Sequence, residues 1–207
     1  MSYEAWQIVK RIEVDNVELE LALQCAPLIA GLKISNLLNI RAGDVDKLIS
    51  LIKGGNLSYR LLYANNYRAT VLLYNEKLLT DYISRDEVKN HLNSMGYEDT
   101  SLSYIFDKFC KRYEEYMIYK EKFPHEMGFL LGYPVEDIEG FINHNGEKSL
   151  YTGYWKVYKD CEKKLKVFES FENAKESLVN LLYHGIGMAE IIRICCNHNR
   201  RIQINYL

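Results

Sequence analysis

Apolar and aromatic residues dominate two short runs in the first half of the chain, and these runs give the clearest prediction of β structure. They span Tyr59–Tyr63 and Tyr67–Tyr74, and the segment between them contains Asn65 and Asn66. Asparagine adopts positive φ more readily than most residues, which suits a tight turn. The pattern therefore predicts a β-hairpin over residues 59–74.

Two later apolar runs, Met127–Tyr133 and Tyr154–Tyr158, predict a third and a fourth strand, near 127–133 and 154–158. The alternation of polar and apolar residues at 17–21 is also compatible with a strand, although its Glu, Leu and Ala content favours helix. Helical patterns occupy most of the remaining chain. They cover residues 3–25, 44–53, 76–94, 101–121 and 135–143, and the chain from Cys161 onward.

Strand pairs mixed with helices, without regular β–α–β alternation, are typical of the α+β class. We therefore predict a small antiparallel or mixed sheet of about four strands, packed with helices and followed by a helical C-terminus. A length of 207 residues fits a single domain over 1–207. A helical hairpin over 174–207 could form an appendage to it.

The charge, the apolar runs and the cysteines of the chain argue against several classes of protein. The net charge is -2, and basic and acidic residues are interleaved, which argues against a globally basic nucleic-acid binder. No run is long and apolar enough to span a bilayer, and the first residues lack the apolar core of a signal peptide. The five cysteines are odd in number and contain no Cys-x-x-Cys pair. We therefore expect a cytoplasmic location, reduced thiols and no membrane partner.

The only three prolines lie in two segments, and these segments also carry candidate chemistry. Pro27 follows Cys25, and Pro124 and Pro134 flank a stretch that contains His125 and Glu126. Proline fixes φ and biases the preceding residue away from helix, so it stiffens the backbone where it occurs. The two segments are therefore the first place to look for a site.

These segments, together with a third near Trp155, resemble the bacterial family catalogued as domain of unknown function 3793. The likeness covers roughly residues 15 to 180, with Ile34 standing where a proline is expected and a poorer fit after Leu182. The resemblance implies no established activity, cofactor or partner. It rests on Cys25–Pro27, Gly31, Lys33, Asn36–Leu37, Phe123–Glu126, Gly128, Gly132–Pro134, Asp137, Gly140–Phe141 and Gly153–Tyr158.

Cys25 is the candidate nucleophile. If one helix ends near Gln24 and Pro27 is the first residue of the next, Cys25 lies just ahead of a helix N-terminus, where the dipole stabilises a thiolate. His125 would be the base, and Glu126 or Asp137 would orient its ring. The alternative is structural, because Cys25 also shares a helical face with leucines and would then be a small core residue.

His125 and Glu126 have alternatives of their own. Adjacent residues on a strand point to opposite faces, so one of them could reach a pocket, and in a loop both could converge on one ligand. His125 could equally cap a helix or pair with a buried carbonyl. Zinc would accept Cys25, His125 and a carboxylate, but no tight ligand spacing is present, so we predict no metal site.

Five further residues are candidate ligand-binding groups: Lys33, Asn36, Tyr133, Asp137 and Trp155. Lys33 and Asn36 would share a face on a helix because they are three residues apart. Tyr133 and Trp155 could form an aromatic wall or simply belong to the core. The glycines at 128 and 132 match neither a Walker loop nor a dinucleotide fingerprint, and the sequence leaves the identity of any cofactor unknown.

The function hypothesis is a polar site for a small molecule, or a thiol-based site, formed by the Cys25 and His125 segments. The alternative is a non-enzymatic interaction or regulatory module. A helix–turn–helix-like hairpin near the C-terminus, with Arg200, Arg201 and Gln203 beyond it, could contact DNA. The sequence leaves enzymatic activity and the oligomeric state open.

Overall fold

The computed structural model describes residues 1–198, with side chains through Cys196, and confirms the α+β class. The helices of this range are α1 Tyr3–Arg11, α2 Asn16–Ile29, α3 Val45–Ile52, α4 Glu76–Ile83, α5 Asp86–Ser94, α6 Leu102–Tyr119, α7 Met127–Leu130, α8 Val135–Asn143, α9 Cys161–Tyr183 and α10 Met188–His198. The strands are β1 Ser35–Arg41, β2 Ser58–Ala64, β3 Arg68–Tyr74, β4 Tyr151–Thr152 and β5 Lys156–Val157.

The chain divides into two compact units. Among the described residues, the first comprises Met1–Asn75 and Glu169–His198, and the second comprises Glu76–Phe168. The assignment of 1–207 to one folding domain stays a prediction, since compactness does not establish whether either unit folds alone.

A three-stranded antiparallel sheet with the order β1–β3–β2 forms the centre of the first unit. The β2–β3 hairpin confirms the prediction for residues 59–74. β1 was not predicted as a strand. It pairs with β3 along its whole length, from Ser35 opposite Tyr74 to Arg41 opposite Arg68.

One face of this sheet is covered by helices. Leu38, Ile40 and Val71 point into a core that is completed by apolar residues of α2, α3, α9 and α10. The predicted hairpin of helices after residue 174 is present as far as residue 198, and Leu178 and Ile192 are buried in the same core. The residues proposed to contact DNA, 200, 201 and 203, lie outside the described residues.

The first predicted helix, 3–25, is two helices, and the predicted break near Gln24 is wrong. α2 continues through Cys25 to Ile29, so Pro27 lies inside the last turn of a helix rather than at the start of one. Proline lacks a backbone N–H, so Pro27 cannot donate to the carbonyl oxygen of Leu23, and α2 ends two residues later at Ile29. Gly31, with φ +74°, then turns the chain toward β1.

The second unit is mainly helical and contains the two-residue strands β4 and β5. The strand predicted at 127–133 is wrong, since this stretch forms α7 and the turn that follows it. The strand predicted at 154–158 is reduced to β5. The helix predicted over 76–94 is interrupted between α4 and α5.

Within residues 1–198, no helix combines the length and the apolar character needed to cross a bilayer.

Candidate functional site

Three of the predicted site residues meet in the first unit. The side-chain amide nitrogen of Asn36 donates a 2.6 Å hydrogen bond to the carbonyl oxygen of Gln24 and lies 3.9 Å from Sγ of Cys25. The ammonium group of Lys33 donates to Oδ1 of Asn36 at 2.7 Å. Lys33 precedes β1 and Asn36 lies within it, so their contact does not arise from the helical spacing that we predicted.

This cluster is buried. Cys25 is 0% and Lys33 is 2% exposed. Burial raises the pKa of the Cys25 thiol to about 12, against the opposing effects of the Lys33 charge and the Asn36 hydrogen bond. Burial also lowers the pKa of the Lys33 ammonium to about 8. Both shifts favour the neutral form of each side chain.

These features remove the physical argument for an activated thiol. Cys25 lies in the body of α2 and not ahead of a helix N-terminus, so the positive end of a helix dipole does not stabilise its thiolate. A thiol with a raised pKa is a poor nucleophile near neutral pH. His125 belongs to the second unit, and its pairing with Cys25 stays a prediction.

The carboxylate of Asp137 accepts hydrogen bonds from two separate segments of the second unit. One oxygen accepts a 2.7 Å hydrogen bond from Nε1 of Trp155, and the other accepts a 2.7 Å bond from the backbone N–H of Tyr158. The ring of Tyr133 stacks on Trp155 with centroids 5.1 Å apart. Three of the predicted ligand-binding residues are therefore adjacent. Asp137 and Trp155 bind each other, and the hydroxyl of Tyr133 donates to the carbonyl oxygen of Tyr154 at 3.3 Å. These bonds support a structural role for the predicted aromatic wall.

Glu126 is a fully buried carboxylate in the same unit. Its Oε1 accepts a 2.7 Å hydrogen bond from the hydroxyl of Tyr97 and lies 2.9 Å from Nη1 of Arg112. Its Oε2 has no hydrogen-bond partner within the part of the chain that the structure describes. Burial and the carboxylate both raise the pKa of the Tyr97 hydroxyl, which keeps it a donor.

His125 is partly exposed and lies among aromatic rings. Its imidazole contacts Phe123 at 5.7 Å and Phe141 at 5.8 Å between centroids. Although Glu126 follows it directly in the chain, Glu126 bonds to Tyr97 and Arg112 instead. That Glu126 orients the His125 ring stays a prediction, and the bonds to Tyr97 and Arg112 compete with this role.

The end of the second proline segment lines a pocket of about 510 Å³. Pro134, Val135 and Glu136 form one part of its wall, and Tyr82 and Arg85 lie at the end of α4 and just after it. The remaining lining residues are Glu87 and Val88 of α5, and Asp160, Lys163, Lys164, Lys166 and Val167 at the start of α9.

Several charges of this pocket are already paired. Lys164, which is almost completely buried, donates to Oε1 of Glu136 at 2.6 Å. Burial alone would raise the pKa of Glu136. The hydrogen bond and charge of Lys164, a backbone hydrogen bond and the charge of Lys159 together outweigh it, so the pKa lies below its usual value. Lys163 lies 3.7 Å from Asp160.

Two cations of the pocket have no such partner. Within the described residues, no carboxylate lies within 4.0 Å of Arg85 or Lys166. The guanidinium of Arg85 is instead 5.4 Å from the centroid of the Tyr82 ring. A cation over an aromatic ring remains able to bind an anion with its other N–H groups.

The sequence did not predict the residues that bind the buried carboxylates, nor the basic residues that line the 510 Å³ pocket. Tyr97, Arg112 and Lys164 are separated from their partners by 14 to 29 positions, so local spacing gives no indication of these contacts. For Arg85 the sequence provided only a weak indication of surface exposure, because a charged residue directly after a helical run often lies at a surface.

In the part of the chain with described side chains, no group of three or more His, Cys, Asp or Glu residues is arranged to hold a metal ion. The cysteines at positions 25, 110, 161, 195 and 196 form no disulfide.

Comparison with known proteins supports the resemblance noted above. A family model described as protein of unknown function, DUF3793, matches residues 21–192, which include both proline segments. No curated protein and no solved structure matches the chain significantly. Because its model matches most of the sequence, the chain belongs to the protein family of unknown function DUF3793.

Proposed function

We propose that this protein binds a small organic anion with an apolar body in the 510 Å³ pocket of the second unit. The volume lies within the range of about 300–1,000 Å³ that is typical of ligand pockets. The observation that carries the proposal is the presence of Arg85 in this pocket without a carboxylate partner among the described residues.

The charge distribution supports an anion. Lys164 pairs with Glu136 and Lys163 with Asp160. Of the remaining charged residues that line the pocket, Arg85 and Lys166 are positive and Glu87 alone is negative. Arginine presents a planar fork of N–H donors that suits the two oxygens of a carboxylate.

The apolar part of the wall supports a ligand with a hydrocarbon body. Val88, Pro134, Val135 and Val167 all line the pocket. Covering this surface would contribute on the order of 25 cal/mol for each Å² removed from water. Recognition would then combine one ionic contact with a hydrophobic one, and it requires no reaction at Cys25.

Calorimetric titration with hexanoate, hexanol and hexylamine tests the proposal, because these probes share one chain and differ in charge. We expect hexanoate to bind most tightly. Arg85→Gln should weaken hexanoate binding by roughly tenfold, the equivalent of one charged hydrogen bond. Lys111→Gln, which alters an exposed lysine of α6 outside this pocket, is the matched control.

Equal binding of hexanoate and hexanol would contradict the proposal, since it would remove the contribution of the cations. Retention of full hexanoate affinity by Arg85→Gln would contradict it as well. Equal weakening by Lys111→Gln would show a general effect of net charge rather than a site.

A further inference from the structure

A second, smaller pocket lies wholly within the first unit. Its volume is about 270 Å³. Residues of α2, of the facing ends of β1 and β3, and of the turn before α3 line it. The polar side chains among them are Asn16, Glu20, Asn39, Arg41, Asp44 and Arg68.

Two arginines face each other at this pocket. Arg41 and Arg68 are direct partners in the antiparallel pairing of β1 with β3, so both side chains point to the same face of the sheet. Like charges in directly opposite positions repel each other. Within the described residues, neither guanidinium has a carboxylate within 4.0 Å. The more distant carboxylate of Asp15 attracts Arg41, but Asp15 is already paired with Lys47.

Two carboxylates line the same pocket and are also without an ion pair. Glu20 accepts a hydrogen bond from the side-chain amide of Gln24. Asp44 immediately precedes α3, but its side chain does not cap that helix. In the described part of the chain, no lysine or arginine lies within 4.0 Å of either acid. The nearby acid Asp15, in contrast, is paired with Lys47.

The pocket therefore contains two positive and two negative groups that form no ion pair with one another within 4.0 Å. The arginines come from the sheet, whereas the acids come from α2 and from the start of α3. Such an arrangement complements a molecule that carries both a carboxylate and an ammonium group. Each ligand charge would meet protein charges of opposite sign that form no ion pair within 4.0 Å among the described residues.

We infer that the pocket between Glu20, Asp44, Arg41 and Arg68 binds a small zwitterion of the amino-acid class. Arg41 and Arg68 hold its carboxylate, and Glu20 and Asp44 hold its ammonium group. The amides of Asn16 and Asn39 can donate to or accept from either end. A volume of about 270 Å³ restricts the ligand to a compact molecule. This inference is independent of the proposed anion site, which lies in the other unit.

The test compares small aliphatic probes that carry both charges, the negative charge alone or the positive charge alone. Calorimetric titration uses alanine and γ-aminobutyrate as zwitterions, butyrate as the anion and butylamine as the cation. We expect at least one zwitterion to bind roughly tenfold more tightly than butyrate and butylamine, because each of these lacks one charge-assisted contact.

Variants assign each charge to its partner. Arg68→Gln should weaken the binding of the zwitterion and of butyrate, and Asp44→Asn should weaken the binding of the zwitterion and of butylamine. The matched controls are Arg11→Gln and Asp46→Asn, which alter exposed residues of the same unit that do not line the pocket. Arg68 is exposed, so Arg68→Gln should fold, and thermal unfolding of the ligand-free variant verifies this.

Selective loss of butyrate binding in Arg68→Gln and of butylamine binding in Asp44→Asn would support the inference. Equal affinity for a zwitterion and its singly charged analogue would overturn it. Failure of every probe to bind at millimolar concentration, with the wild-type protein folded, would overturn it too.

Discussion

The ammonium group of Lys33 donates a 2.7 Å hydrogen bond to Oδ1 of Asn36, although Lys33 is almost completely buried. A buried charge is costly unless it is paired or loses its proton. Here burial lowers the pKa of Lys33 to about 8, so the folded protein releases this proton more readily than the unfolded chain, in which the pKa is near 10.5. The stability of the fold should therefore depend on pH through this residue.

We predict that the Lys33 contribution to the free energy of unfolding rises as pH increases from about 8 to 10.5. In this interval the unfolded state binds more protons than the folded state, and stability therefore increases with pH. The full change is on the order of 3 kcal/mol. Urea unfolding of the wild type and of Lys33→Met over this pH range measures it.

The comparison with Lys33→Met is needed because other groups titrate in the same range. Burial raises the pKa of Cys25 to about 12, and this contribution falls as pH rises above about 9. Because the charges of Lys33 and Cys25 act on each other, both proteins should carry Cys25→Ala, and the difference between them then isolates Lys33. A difference that does not change with pH would contradict the prediction.

Cys25 should be the least reactive cysteine of the folded protein. It is 0% exposed and its thiol pKa is raised to about 12, whereas Cys161 is partly exposed. Because alkylation proceeds through the thiolate and requires access, iodoacetamide should modify Cys161 well before Cys25. Mass spectrometry of peptides from native and urea-treated protein measures both rates. Rapid native labelling of Cys25 would restore the hypothesis of a thiol-based site.

The hairpin was predictable because its signal is local. Two aromatic runs separated by Asn65 and Asn66 specify both the strands and the turn, and the structure contains β2 and β3 at these positions. β1 was missed because its sequence, Ser35 to Arg41, does not alternate cleanly. Asn36 pairs with Leu73 of β3, and its side-chain amide donates to the carbonyl of Gln24 in α2; only the tertiary structure creates these contacts.

The stretch at 127–133 illustrates the opposite error. Phe129, Leu130 and Leu131 are all buried, so the run has neither the period of a strand nor that of an amphipathic helix. The contacts of the site residues were likewise not predictable from local sequence. The sequence indicated Asp137 and Trp155 as chemically capable, but only the fold shows that they bind each other.

Asp137→Asn should destabilise the protein by about 2–4 kcal/mol, because one buried and one partly buried donor depend on two different oxygens of this carboxylate. Trp155 donates to Oδ2 and the Tyr158 backbone donates to Oδ1. An asparagine keeps one oxygen and places an NH₂ group against the other donor. Urea unfolding measures the loss, with Glu147→Gln as a control at an exposed carboxylate. Equal stability of both variants would show that the Asp137 bonds contribute little.

Gly140 lies in α8 where the helix approaches Tyr158. A Cβ atom added at this glycine would lie 2.5 Å from Cβ and 2.3 Å from Cγ of Tyr158. These are atoms at the base of the tyrosine side chain, so a rotamer change cannot remove the clash and the backbone has to shift.

Gly140→Ala should therefore lower the free energy of unfolding by about 1–3 kcal/mol, the usual cost of overpacking, although alanine favours helix more than glycine does. Gly43→Ala is the matched control, since a Cβ there meets no atom within 4 Å and φ is not positive. That change should be neutral or stabilise the protein by about 0.4–1 kcal/mol through the unfolded state. If Gly140→Ala proved as stable as Gly43→Ala in urea unfolding, α8 would have to pack less closely against Tyr158 than the structure shows.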